Sequence, residues 1–227
     1  MHCDRKSPHL LHLASQSPRR RAMVDWLGVP AVTTQVDIDE APLPGEAPRA
    51  LAIRLAREKT LAATAAVEGL VLTADTVVDL DGAALGKPAD ADEARRMLRD
   101  LRALPHQVHT GVALALPGGE ILVRCVTTDV LMRPYSDAEI DAYIATGDPM
   151  DKAGAYAIQH PGFHPVDHVD VCYANVVGLP LCAVVSLLAE AGWTIAVDVH
   201  ATTRALCRKH FGYACPRIDV GAEECAP

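Results

Sequence analysis

Leu10-Leu11-His12-Leu13-Ala14-Ser15-Gln16-Ser17-Pro18-Arg19-Arg20 is the stretch on which the fold turns. Residues 10–14 are short and apolar, the pattern of a buried strand. Ser17 then suits a helix N-cap, and Pro18 falls at the first helical position, where its missing N–H costs nothing. Gly28 stops that helix. A strand leading through a tight loop into a helix is the opening unit of an α/β sheet. The helix mouth leaves N–H groups unpaired and carries partial positive charge, so it attracts anions. Arg19 and Arg20 stand in that first turn, where cations cost roughly a few tenths of a kcal/mol. A bound anion removes the cost, and two guanidinium forks can grip phosphate oxygens.

Working outward, residues 32–38 read as a second strand that delivers Asp39-Glu40, followed by a Pro-rich loop over 41–48 and an alanine-rich helix over 49–67 ended by Gly69. Residues 70–74 form a short apolar strand, and 77–80 continue it to an Asp81-Gly82 turn. Asp90 with Glu93 marks a capped helix reaching about Arg102. Residues 107–116 and 120–131, around Pro117-Gly118-Gly119, predict a long β-hairpin. Ser136 with Glu139 caps another helix, stopped by Gly147. Residues 156–159 and 166–171 read as short strands, and 179–191 as a helix stopped by Gly192. Past about Val199 the periodicity fades, which predicts a loosely attached extension. The expected architecture is α/β with a mixed sheet and two lobes sharing a central cleft. Residues 1–198 make up its domain, and 199–227 an extension of unassigned role.

At 227 residues and 50% hydrophobic content the chain can bury a full core. A net charge of -8 argues against a nucleic-acid binder, which uses basic surface to displace counterions. Any phosphate site must be a local basic pocket. No window reaches the run of about 18 apolar residues that a membrane span needs, and Met1–Lys6 lacks a signal-peptide core, so a cytoplasmic protein is expected. The 7 cysteines are scattered without a Cys-x-x-Cys pair, and Cys3, Cys125, Cys172 and Cys182 read as reduced, structural thiols.

Several residues are candidates for chemistry. Asp75, after four apolar residues, is expected at the carboxyl end of a strand, the edge where open α/β sheets place ligands. Glu40 is expected to be a second strand-end carboxylate. Magnesium is usually held by one or two carboxylates together with phosphate oxygens and water, and such a carboxylate can instead orient a water as general base. Lys87, in Leu85-Gly86-Lys87-Pro88, can reach a phosphate as a mobile point charge. Lys152 sits in a Gly/Ala-rich loop, which would permit a close approach to ligand. Gln159 offers an amide to a base edge. Lys59, among Arg54, Arg57 and Glu58, reads by default as part of a solvated helix face. His160, His164 and His168 with Asp167 and Asp170, and Cys207, His210, Cys215 and Cys225, fit no standard zinc spacing. The chain has no P-loop motif.

Leu13–Arg20, Ala74-Asp75-Thr76-Val77-Val78, Gly86-Lys87-Pro88, His109-Thr110-Gly111-Val112, Asp151–Gln159 and Val177-Gly178-Leu179-Pro180 occur in this order. With these motifs the chain resembles the Maf family of nucleoside triphosphate pyrophosphatases over roughly residues 10–192. The resemblance implies the architecture shared with inosine triphosphatases. It also implies hydrolysis of a nucleoside triphosphate to the monophosphate and pyrophosphate with a divalent cation, Mg or Mn. Within it Asp75 is the catalytic base and a metal ligand, and Glu40 is a metal-site carboxylate. Ser15, Arg20, Lys59 and Lys87 are substrate contacts. Arg19, Thr76 and Gln159 match the branch that prefers dTTP and UTP, whereas the 7-methyl-GTP branch typically has tryptophan at the position of Arg19. Regulation of septum formation without catalysis and hydrolysis of modified nucleotides such as 7-methyl-GTP are the alternatives, and a homodimer is the family's common assembly. Between Gln159 and Val177 the chain departs from the family's usual glycine- and serine-containing stretch and is rich in histidine and aspartate.

Overall fold

A computed structural model describes residues 10–193 and 199–213. In chain order the elements are β1 (Leu11–Ala14), α1 (Pro18–Trp26), β2 (Ala31–Thr34), α2 (Pro48–Thr64), β3 (Leu70–Leu80), β4 (Ala83–Leu85), α3 (Ala91–Leu101), β5 (Pro105–Ala115), β6 (Ile121–Met132), α4 (Asp137–Ala145), β7 (Val166–Val169), α5 (Tyr173–Val177), α6 (Leu181–Glu190) and α7 (Val199–Phe211). Two 3-10 turns, Asp148–Asp151 and Ala153–Ala155, join α4 to the loop before β7. Among the described residues the strands form one seven-stranded sheet in the order β2-β1-β3-β5-β6-β7, with β4 pairing β3. β1 runs parallel to β2 and β3, and the remaining pairings are antiparallel. The expected mixed α/β fold is therefore what forms.

Alternation along β3 sorts the chain into layers. Leu70, Leu72, Ala74 and Val78 join the main core with Met23 and Val24 of α1, Leu98 of α3 and Leu187 of α6. Val71 and Val77 face the other way and meet Ala63, Leu51, Ala52 and Leu55 of α2. Leu70 and Leu72 are at most 1% exposed, and each such side chain contributes roughly 1.5–3 kcal/mol by burial. Gly111 of β5 lets α2 lie directly on the sheet, because a Cβ there would stand 2.3 Å from the carbonyl oxygen of Ala52. The caps form as expected: Ser17 accepts from Arg20 N, Asp90 accepts from Glu93 N, and Ser136 with Glu139 closes a full capping box.

Four expectations are corrected. β2 ends at Thr34, not at residue 38. Val36 and Ile38 are apolar because they pack over the two α2-side clusters, so Glu40 is delivered by coil. Asp75 is not at a strand end: β3 runs unbroken through Leu80 because β5 pairs with it from Val71 to Asp79. Residues 156–159 form no strand. Gly154 and Ala155 take positive φ, and Ala157 N donates to the Tyr143 hydroxyl, so Tyr156 and Ile158 are apolar because they are buried, not paired. The segment past residue 199, expected to be loose, contains the docked helix α7. Its stripe of Thr203, Leu206, Cys207 and Phe211 has helical spacing but few conventional apolar residues, which hid it. Trp26 stacks on His210, and the Tyr213 hydroxyl donates to Val169 O.

Candidate active site

Strand lengths open the cleft. β1 follows β3 only as far as Leu13 opposite Leu72, and β4 joins β3 only from Val78. Between them, among the described residues, the β1-side edge of β3 has no strand partner at Ala74–Val77, and a cavity of about 1080 Å³ opens there. Ser15, Arg19, Arg20, Glu40, Lys59, Asp75, Thr76, Lys87 and Gln159 all line it. The sequence candidates are thus gathered in one place, although they come from the loop after β1, from α1, coil, α2 and β3, and from two further loops.

On the α2 face, Asp75 projects toward Lys59. α2 is pinned to β3 by Thr73, whose hydroxyl donates to Ala56 O at 2.6 Å and pairs with the Thr60 hydroxyl at 2.7 Å. This tie fixes the helical turn that carries Lys59, which is therefore not on a solvated helix face. Its ammonium donates to Asp75 Oδ1 and sits 2.7 Å from Glu40 Oε1. Lys87 Nζ lies 3.7 Å from the other Glu40 oxygen. Partial burial opposes ionisation of Glu40, but the hydrogen bond from Lys59 and the charges of Lys59, Lys87 and Arg20 outweigh it and hold the carboxyl below its ordinary range.

On the opposite face, Arg20 is clasped by neutral oxygens. Its Nε donates to Gly178 O at 2.8 Å, Nη1 to Ala74 O at 2.7 Å and Nη2 to Thr76 Oγ1 at 3.0 Å. Ala74 O belongs to the uncovered edge of β3, so the arginine fills a hydrogen-bond position that a longer β1 would have taken. Burial pulls the Arg20 pKa below its ordinary value, while the charges of Asp75 and Glu40 pull the other way. A guanidinium has five N–H groups, and three are spent inside the protein. The positive φ of Gly178 brings its backbone against this clasp: a Cβ there would meet Thr76 Oγ1 at 3.5 Å and Arg20 Nε at 3.6 Å.

Arg19 pairs with Asp151 at 3.1 Å across the cleft mouth. Lys152 also lines the cavity, as expected, but it is buried and its ammonium is committed: it donates to Asp148 O and lies 3.0 Å from Asp148 Oδ1 and 2.6 Å from Asp151 Oδ1. It orders the turn that presents Asp151. Gln159 is exposed on the cleft wall. Sequence reasoning named neither Asp151 nor Gly178 as a site residue. Both lie inside recognised motifs, and the signal was the opposite charge of Asp151 to Arg19 and the glycine directly after Val177.

Glu40 and Asp75 touch one ammonium, so their oxygens already converge on a single cation. Two carboxylates that do so suit a hard divalent ion completed by phosphate oxygens and water. Among the described residues no group of three or more His, Cys, Asp or Glu is placed to hold a metal by itself. Of the Cys207, His210, Cys215 and Cys225 set, the last two lie outside the described residues. Among the described residues no helix is long and apolar enough to cross a membrane.

The family model for Maf-like proteins matches residues 10–191. The chain is 48% identical over 182 residues to a dTTP/UTP pyrophosphatase of Geobacter metallireducens, covering 79% of this chain and 95% of that protein. It is 49% identical over 192 residues to a dTTP/UTP pyrophosphatase of Anaeromyxobacter dehalogenans, covering 83% and 97%. Among solved structures it is similar to the Staphylococcus aureus Ham1 protein, with a TM-score of 0.45 and 14% identity over 70% of this chain and 80% of that one. The family model spans every element that lines the cleft, and on that match the chain belongs to the Maf-like protein family.

Proposed function

We propose that this protein is a nucleoside triphosphate pyrophosphatase that hydrolyses dTTP and UTP to the monophosphate and pyrophosphate. The observation that carries the reading is the cation shared by Glu40 and Asp75 in a cleft also lined by Arg19, Arg20 and Lys87. Carboxylates repel a phosphate chain unless a cation stands between them, and a module that only bound phosphate would gain nothing from two of them. The names of the relatives support the choice of substrate.

Phosphoanhydride hydrolysis needs charge neutralisation, a positioned water and in-line geometry rather than covalent work by the protein. In the proposed reaction the water oxygen bonds to phosphorus as the bridging P–O bond between the α and β phosphates breaks. The water's proton passes to Asp75. Arg20 presents its two remaining N–H groups from a fixed position, and Arg19 and Lys87 add positive charge from more exposed positions at the cleft mouth. Glu40 and Asp75 would hold a divalent cation, Mg or Mn, which when bound neutralises charge on the phosphate oxygens. The reading includes a cytoplasmic setting, and it includes a homodimer because the family resemblance implies one.

The test is a nucleotide panel of dTTP, UTP, CTP, 7-methyl-GTP and ITP with Mg or Mn, in which pyrophosphate is measured. Release from dTTP and UTP is expected to exceed release from the others. Faster release from 7-methyl-GTP or ITP would overturn the base preference. Absence of release from every nucleotide would overturn the enzyme and favour a nucleotide-binding regulator.

A further inference from the structure

The Arg20 clasp does not end at Thr76. The Thr76 hydroxyl pairs with the Thr110 hydroxyl of β5 at 2.9 Å, and Thr110 donates to the backbone oxygen of Asn175 at 3.2 Å. Each hydroxyl has one proton. Because the Thr110 proton goes to Asn175 O, Thr110 must accept from Thr76. Thr76 in turn accepts from Arg20 Nη2. The chain therefore runs one way, from guanidinium to Thr76 to Thr110 to Asn175, with each hydroxyl oxygen turned toward the cation. Hydrogen bonds aligned in this way polarise one another and favour the charge at their head.

The chain also closes on itself. Asn175 is fully buried in α5, and its side-chain amide donates to Val108 O of β5 at 2.9 Å and to Thr128 Oγ1 of β6 at 3.0 Å. Thr128 in turn donates to Cys172 O at the start of α5. These contacts anchor the short helix to the sheet. α5 ends at Gly178, whose carbonyl accepts from Arg20 Nε. Thr110 and Thr76 thus hold one side of the guanidinium, while Asn175 supports both that side and the helix whose end holds the other.

We propose that Thr110 and Asn175 are positioning residues for substrate, acting through Arg20. They keep its two remaining N–H groups aimed into the cleft and touch no nucleotide themselves. This inference rests on the pyrophosphatase reading for its kinetic consequence but not for its structural one.

The experiment compares wild type, Thr110→Val, Thr110→Ser and Asn175→Leu, with Thr110→Ala in reserve should the valine variant not fold. Each substitution is also made in an Arg20→Gln background. Hydrogen exchange at the Arg20 Nε–H, followed by NMR without nucleotide, should speed up at least about tenfold in Thr110→Val and stay near wild type in Thr110→Ser. With dTTP and Mg, Thr110→Val should lower kcat/KM by about 5–50-fold, mostly through KM. In the Arg20→Gln background the same substitution should change kcat/KM less than about twofold, as expected when one residue works through another. Unchanged Arg20 exchange in Thr110→Val would overturn the inference. So would a loss of kcat/KM that is equally large with and without Arg20. If wild type turns over no nucleotide, the pyrophosphatase reading fails alone, and the exchange result still decides this one.

Discussion

Asp75 and Thr76 are neighbours on β3 but point to opposite faces of the sheet, and each meets a cation that is held in a different way. Lys59 has charged partners, Glu40 and Asp75, at the end of a flexible stem. Arg20 has neutral ones, two of them backbone carbonyls, and all three of its guanidinium nitrogens are engaged. Anionic partners can be taken over by another cation, and an ammonium is a point charge that needs no fixed plane. Carbonyl dipoles fixed in a sheet edge and a helix end are not contested by a substrate. The cleft thus combines an exchangeable charge on the α2 face with a fixed fork on the main-core face.

The comparison breaks most sharply at Asp75. Asp75→Asn keeps the shape of the side chain but removes the charge that Lys59 and the proposed base chemistry share. Pyrophosphate release should fall on the order of 10²–10⁴-fold, the usual contribution of a general base, with the thermal midpoint little changed. Retained turnover would show that Lys59, not Asp75, defines that face.

The main-core face can be probed through pH. His106 of β5 is buried there and hydrogen-bonded through Nε2 to the Tyr156 hydroxyl at 2.8 Å. Burial pushes it down from 6.5 to about 4, so the folded protein resists a proton that the unfolded chain accepts. The stability contributed by its neutral form is complete above pH 6.5 and is lost as pH falls toward 4, about 3 kcal/mol in all. Urea unfolding at pH 7.5 and 4.5 should show a smaller acid loss in His106→Gln than in wild type. An equal loss would place the titrating group elsewhere.

The α2 face should yield to a packing change. Gly111→Ala places a Cβ against the carbonyl of Ala52, and overpacking of this kind costs about 1–3 kcal/mol. The shift in α2 should displace Lys59, so kcat/KM should fall more than in a variant equally destabilised at a distance. The smallest effect is expected at α7. His210→Ala removes the ring stacked on Trp26 at 3.9 Å, a contact worth about 0.5–1.5 kcal/mol. It should lower the thermal midpoint slightly and leave the kinetics of both faces unchanged.

Much of this was legible in the sequence because local physics decided it. Ser17-Pro18, Asp90 with Glu93 and Ser136 with Glu139 each specify a helix start by themselves, and alternation around Pro117-Gly118-Gly119 specifies the β5–β6 hairpin. The site residues were legible as motifs, but their relations were not. Asp75 looks like a strand end until β5 is known to pair with it on both sides of Gly111. Lys59 looks solvated until Thr60 and Thr73 pin its helix to the sheet. Lys152 looks available until Asp148 and Asp151 claim it. The stripe of α7 mixes Thr203 and Cys207 with Leu206 and Phe211, too little hydrophobic signal to mark a helix. For Asp75 and Lys59 the missing information was a contact with residues distant in the chain, and for Lys152 it was the tight turn that folds Asp148 and Asp151 onto its ammonium.

The contrast between an exchangeable and a fixed cation is tested most directly by a crystal structure grown with Mn and α,β-methylene-dTTP, which resists cleavage at the scissile bond. The account predicts anomalous density for Mn between Glu40 and Asp75, Lys59 Nζ moved off Asp75, and Arg20 still bonded to Ala74 O, Thr76 Oγ1 and Gly178 O. Mn bound away from Glu40 and Asp75, or an Arg20 that has let go of these oxygens while Lys59 stays between its two carboxylates, would contradict it.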